Sequence, residues 1–201
     1  MYLYGASGHG KVIKEILEAQ GKEVDAFVDD NAKIVNYCDK HVLDNAEGLS
    51  LMIVSIGNNR ARKTIVERLS CGFGIAIHPS AIVSPSAIIG EGTVVMPGAI
   101  INADVRIGKH CIINTGASID HECTIEDYCH IAPHATLCGK IHVGEGTLIG
   151  AGASVIPGIK IGKWCTIGAN AAVVRDIADF ETAVGVPARV VKLKDGEANL
   201  V

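Results

Sequence analysis

The residues with most chemistry within reach are a histidine and a glutamate side by side, His121 and Glu122. An imidazole titrates near neutral pH, so it can take a proton from a reacting group. A carboxylate beside it raises its basicity and fixes its orientation. Lys140 offers Glu122 a second partner, a plain charge pair. Gly139 shares their corner if the chain coils with the period described below, and its unobstructed backbone N–H suits the oxyanion of a tetrahedral intermediate. A second group lies near the N-terminus. Gly5-Ala6-Ser7-Gly8-His9-Gly10 follows the apolar run Met1 to Tyr4 and precedes a segment of helical spacing, Val12, Ile13, Ile16 and Leu17. Amides at a helix N-terminus bind phosphate. Asp29 and Asp30 come about twenty residues after Gly10, where an acid at a strand end meets a ribose or a base. The glycine order is GxxGxG, not the dinucleotide fingerprint GxGxxG.

These residues need a scaffold, and the sequence supplies a strong one. From Val83 to Val173 every sixth residue is aliphatic. The position two before each is usually small (Ala81, Ala99, Cys111, Ala117, Cys129, Ala153), and glycine often follows the aliphatic. A helix would repeat every 3.6 residues and a strand every 2. A fixed period of six marks a parallel β-helix of hexapeptides. With three hexads to a coil, His121 falls at a corner, where packing does not require a histidine. Cysteines in the small slot read as small apolar fillers.

Stacking also sorts the outward residues. One column is Ile88, Arg106, Thr124, His142 and Lys160, polar and solvated. The next is Val94, Ile112, His130, Leu148 and Thr166, mostly apolar. An apolar stripe outside a rod calls for a cover, and three-fold packing of identical rods would give one. The expected assembly is a homotrimer with His130 at the subunit junction.

Residues 1–78 read as a small α/β unit with its ligand at the strand carboxyl ends. Strands are expected at Met1 to Tyr4, Val24 to Val28, Leu51 to Ile56 and Gly74 to Ile77. Helices are expected at Lys11 to Gln20 and Arg60 to Cys71, with Asn31 to Gly48 irregular. Residues 79–201 hold the solenoid and, from Arg175, a cap that is loose from Asp195 onward.

Composition narrows the function. A net charge of −4 gives no reason to expect nucleic acid or an anionic membrane as partner. Seven cysteines without a CxxC pair read as reduced thiols in a cytoplasmic protein. No apolar run is long enough to span a bilayer.

The hexapeptide series followed by Gly185-Val186-Pro187-Ala188-Arg189 resembles the left-handed β-helix acyltransferases. The N-terminal Tyr4-Gly5-Ala6-Ser7-Gly8-His9-Gly10, then Asp29-Asp30, Ile56-Gly57-Asn58-Asn59, Asn114-Thr115-Gly116, Asp120-His121-Glu122-Cys123 and Leu137-Cys138-Gly139 look like the PglD/NeuD group of bacterial sugar acetyltransferases. That resemblance implies a left-handed coil and acetyl-CoA as co-substrate, with no metal. It implies an acceptor 4-amino group on a UDP-linked 4-amino-4,6-dideoxy sugar. The short N-terminal unit suits a UDP moiety better than a dinucleotide. By the same resemblance His121 is the general base, Glu122 its acid partner and Gly139 the oxyanion donor. His130, Ala151, Ala169 and Arg189 meet acetyl-CoA, the arginine through its phosphates. Ser7, Gly8, His9, Asp29, Asp30 and Gly57 meet the nucleotide sugar, and Asn114 holds the acceptor. Two alternatives stand beside this reading. One is a sialic acid O-acetyltransferase. The other is a zinc hydratase like carbonic anhydrase, with His121, His130 and His134 as ligands.

Overall fold

The computed structural model describes residues 1–191; the tail expected to be loose lies outside them. The six-residue period becomes two-residue strands joined by corners, stacked in three parallel sheets. Register is eighteen residues from coil to coil, as in Val94 beside Ile112 and Ile112 beside His130, and shortens to sixteen at the last, Thr166 beside Thr182. Each rung turns one aliphatic inward, so Ile113, Ile119, Ile131, Leu137 and Ile149 are all fully buried in one continuous core. The polar column, Arg106 to Lys160, lies on the five-stranded sheet as expected.

The small slot does more than fill space. The Sγ of Cys123 donates to the Cys138 carbonyl at 3.1 Å, and that of Cys129 to the Gly144 carbonyl at 3.1 Å. Thr93 and Thr147 do the same through Oγ1, to Gly108 at 2.8 Å and Gly162 at 2.7 Å. A thiol or hydroxyl there satisfies a corner carbonyl of the next coil, which alanine cannot do. The apolar-filler reading of these cysteines is therefore incomplete.

The N-terminal unit is a sheet of β1 (Tyr2–Tyr4), β2 (Phe27–Val28), β3 (Asn36–Tyr37), β4 (Lys40–Leu43), β5 (Leu51–Val54) and β6 (Gly72–Phe73), in the order β3-β4-β2-β1-β5-β6. Helices α1 (Gly8–Ala19) and α2 (Asn59–Arg68) pack on its two faces. The segment expected to be irregular contains the β3–β4 hairpin, because β4 has a parallel neighbour in β2 to pair with. Helix α1 begins three residues earlier than the spacing suggested, because Ser7 caps it: its hydroxyl accepts from the Gly10 amide at 3.5 Å. Ala76–Ile77 belongs to the solenoid rather than to this unit, since it pairs with Val94–Val95.

The largest departure concerns the apolar stripe. Val94 and Ile112 are 2% and 1% exposed, buried with Met96 against Leu3, Ile13, Leu17 and Phe27 of the N-terminal unit. The chain covers the lower half of the stripe with its own α/β unit; neighbouring rods are not needed there. At the far end of the same sheet, Thr182–Val184 and Arg189–Val191 form the expected cap as an antiparallel hairpin.

Candidate active site

His121 stands at the corner between Ser118–Ile119 and Thr124–Ile125, and its side chain is half exposed. Asp120 shapes the turn: its Oδ1 accepts from the His121 amide at 2.8 Å and from Asn102 at 2.9 Å. Glu122 takes a left-handed backbone, φ 59°, which folds its side chain back beside its neighbour. Its Oε2 is 3.0 Å from His121 Nδ1 and 3.6 Å from Lys140 Nζ. Both partners weighed for Glu122 are thus engaged, and the bond to His121 holds its carboxyl below the ordinary value more than Lys140 does. Nδ1 is tied to the carboxylate, and Nε2 lies 3.9 Å from Asp120 Oδ2.

Gly139 fits this ring closely. A Cβ built on it would come within 2.6 Å of both Cε1 and Nε2 of His121. Its backbone is not left-handed, so glycine is required here for room under the imidazole rather than for φ. The neighbouring amides are used, Cys138 N to Val155 O and Lys140 N to His121 O, while that of Gly139 makes no bond among the described residues.

The second cluster lies at the seam between the two units. His130, on the eight-stranded sheet, has Nε2 3.0 Å from Asn114 Nδ2. Burial, then the Arg62 charge, then His9, pushes its pKa down to about 3. His9, in the first turn of α1, is pushed down to about 4 by burial and Arg62, and its Nε2 is buried without a partner. Both rings are therefore neutral. A cavity of about 520 Å³ opens here between Gly57, Asn58, Arg60 and the solenoid residues His130, Leu148 and Thr166.

The loops on the strand ends carry a telling contrast among glycines. Gly5 has φ 115° and Gly10 would press a Cβ to 2.4 Å from the Gly5 carbonyl, so both serve the turn. Gly8 and Gly57 have ordinary φ and open space where a side chain would go. The fold does not need glycine there; a ligand approaching the backbone would. Ser7 hydroxyl lies 3.4 Å from the Ser55 carbonyl. Asp29 holds the Ala6 amide at 2.8 Å and the Asn31 amide at 2.9 Å, so it builds the loop. Asp30 accepts from Tyr4 Oη, and both of its carboxylate oxygens accept from Arg68 Nη2, at 2.9 and 2.6 Å. Burial, then Asp30, pushes the Tyr4 phenol up to about 12.

Ala151 and Ala169 stack at the corner adjoining the His130 sheet, both exposed, and neither amide is bonded among the described residues. Arg189 lies on the cap at the end of that sheet, with Nη1 on the Ala188 carbonyl at 2.9 Å. His130, Thr166 and the cap thus follow one another along a single face. His121 is not among them. It occupies the corner between the other two sheets, opposite the face that bears His130 and the N-terminal unit. One chain keeps the two halves of the expected site apart. Within it, no three His, Cys, Asp or Glu side chains among the described residues converge to hold a metal ion.

The sequence reading missed Arg62. It is 1% exposed and has no carboxylate partner among the described residues; its bonds go to backbone carbonyls and to Asn59 Oδ1. Its guanidinium donates to the carbonyls of Ile56 (2.8 Å) and Gly57 (3.2 Å) in one unit and of His110 (2.8 Å) and Tyr128 (2.8 Å) in the other. A signal was present. Arg60, Arg62 and Lys63 crowd the first turns of α2, where the helix dipole disfavours cations.

Stacked six-residue rungs behind a small α/β unit define a hexapeptide-repeat protein. The comparisons agree. Residues 1–69 match the PglD N-terminal domain family, and residues 86–121, 104–139 and 140–175 match the bacterial transferase hexapeptide family. A mutant of perosamine N-acetyltransferase from Caulobacter crescentus, in complex with CoA and GDP-perosamine, is 42% identical with a TM-score of 0.90, covering 95% of this chain and 96% of that one. The acetyltransferase domain of PglB from Neisseria gonorrhoeae FA1090, in complex with acetyl coenzyme A, is 37% identical at TM-score 0.90, covering 94% and 98%. UDP-N-acetylbacillosamine N-acetyltransferase of Bacillus subtilis (strain 168) is 47% identical over 104 residues, 45% of this chain and 48% of that curated relative's length. The chain belongs to the PglD-type sugar acetyltransferases of the hexapeptide-repeat family.

Proposed function

We propose that the protein is an acetyl-CoA-dependent N-acetyltransferase acting on the amino group of a nucleoside diphosphate-linked 4-amino-4,6-dideoxy sugar. The observation that carries this is the His121 corner: a half-exposed imidazole tied to Glu122 and packed against Gly139, whose N–H makes no bond among the described residues. The amine lone pair attacks the thioester carbonyl carbon. His121 Nε2 takes the proton released by the amine, and the Gly139 N–H stabilises the oxyanion. Collapse of the tetrahedral intermediate breaks the C–S bond, and the CoA thiolate leaves and is protonated. Neutral His130 and Asn114 orient the groups near the thioester, and the free amides of Ala151 and Ala169 and the cap with Arg189 line the way for the rest of the coenzyme.

UDP is the nucleotide of the curated relative and GDP that of the solved one; the reading here is UDP. Both relatives are N-acetyltransferases, which supports an amine rather than the hydroxyl of a sialic acid. A coupled thiol-release assay with UDP- and GDP-linked 4-amino sugars and free sialic acid decides among them. Turnover confined to sialic acid, or unchanged turnover in His121→Ala, overturns the proposal.

The separation of the two halves supports an assembly of several copies. A second copy placing its His121 corner against the His130 face completes the site, and three-fold symmetry repeats it around a homotrimer. Light scattering at the mass of one chain would remove this arrangement. Among the described residues no helix is long and apolar enough to cross a membrane.

A further inference from the structure

Arg62 and Arg60 lie two residues apart on α2 and differ in one respect. Every arm of Arg62 is bonded, whereas Arg60 has neither an ion pair nor a hydrogen bond among the described residues. What holds Arg60 is stacking: its guanidinium carbon sits 4.5 Å from the Trp164 ring centroid. Trp164 is in turn seated on the backbone of Gly146, where an added Cβ would meet the indole at 2.4 Å. The amide of Asn59 ties the start of α2 to the same glycine, Nδ2 to the Gly146 carbonyl at 3.0 Å. The nearby carboxylates are occupied: Lys63 pairs with Glu145 and with Glu67. Arg60 and Trp164 both line the cavity that holds Gly57, Asn58 and His130.

A guanidinium stacked on an indole keeps its in-plane N–H donors free and loses little further freedom when it binds. Its fork matches phosphate oxygens in bidentate fashion. We infer that Arg60, held on the Trp164 platform, is a substrate-binding residue that grips a phosphate of a diphosphate-bearing substrate in this cavity. The inference rests on the function proposed above, in which both substrates carry such a group, the nucleotide sugar and the coenzyme.

The chain has one tryptophan, so its fluorescence reports on Trp164 alone. The experiment titrates CoA, UDP and GDP separately into wild type, Arg60→Gln and Arg60→Lys, reading both heat and tryptophan emission. Arg60→Gln is expected to weaken either CoA or the nucleoside diphosphates on the order of 10- to 100-fold. The other ligand and the melting temperature should stay as in wild type, and Arg60→Lys should recover part of the loss. Whichever ligand is affected names the source of the phosphate, and its wild-type titration should change Trp164 emission. Unchanged affinities for all three in Arg60→Gln, with wild type binding normally, would overturn the inference alone. No heat from any of them in wild type would overturn the proposed function with it.

Discussion

The corner around His121 and the seam around Arg62 solve opposite problems. The corner is exposed, short-range and built by residues adjacent in sequence or one coil apart. Asp120 fixes the turn, Glu122 fixes the ring, and Gly139 leaves room beneath it. The seam is buried and long-range. It joins Arg62 to carbonyls forty-eight and sixty-six residues away and keeps two histidines neutral. A periodic rod leaves its corners free for chemistry because corners do not carry the core. An aperiodic unit must be anchored to that rod by a specific polar device.

The largest expected effect breaks the corner. His121→Ala should lower kcat on the order of 10²- to 10⁴-fold, the usual contribution of a positioned base. Calorimetry should show acetyl-CoA binding largely kept. Next comes the seam. Arg62→Leu leaves several buried carbonyls unpaired and should cost about 3 kcal/mol of stability, read by urea unfolding. Gly139→Ala tests the corner without removing the base. The ring must move by more than a few tenths of an ångström, so kcat should fall on the order of 10-fold or more, with little change in melting temperature. A smaller loss, about three- to ten-fold in kcat, is expected for Glu122→Gln, which keeps the shape but removes the charge.

The gentlest probe is pH. Burial, the leading cause, depresses His130 to about 3 and His9 and His110 to about 4, against an ordinary 6.5. Between about pH 6.5 and 4 the unfolded chain then binds more protons than the folded one, so stability falls as pH is lowered through that window. The urea midpoint should drop from pH 7 to pH 5. The double variant His9→Gln/His130→Gln should flatten that slope.

These contrasts also explain what the sequence revealed. Ile113, Ile131 and Ile149 announce the solenoid because each repeats its neighbour's environment, and the corner position of His121 follows by counting. The cover over Val94 and Ile112 was not legible in that way. A stripe shows that it must be covered, not by what, and the α/β unit reached it before any second rod. Nor does a period say that Cys123 or Thr147 will donate to the next coil, because slot size and slot chemistry are separate demands. Arg62 was hidden by its tertiary partners, which are backbone carbonyls and therefore have no residue type to recognise.

The glycine contrast at the strand ends has a consequence for how such enzymes diversify. The Arg62 guanidinium ties the Ile56 and Gly57 carbonyls, on the loop that the proposed function gives to the nucleotide, to the His110 and Tyr128 carbonyls of the rungs. On that reading, a change of acceptor is expected without swinging one module against the other. It would come from swapping side chains around the loop, where the two open Cα positions, Gly8 and Gly57, would let a new cargo approach the backbone closely.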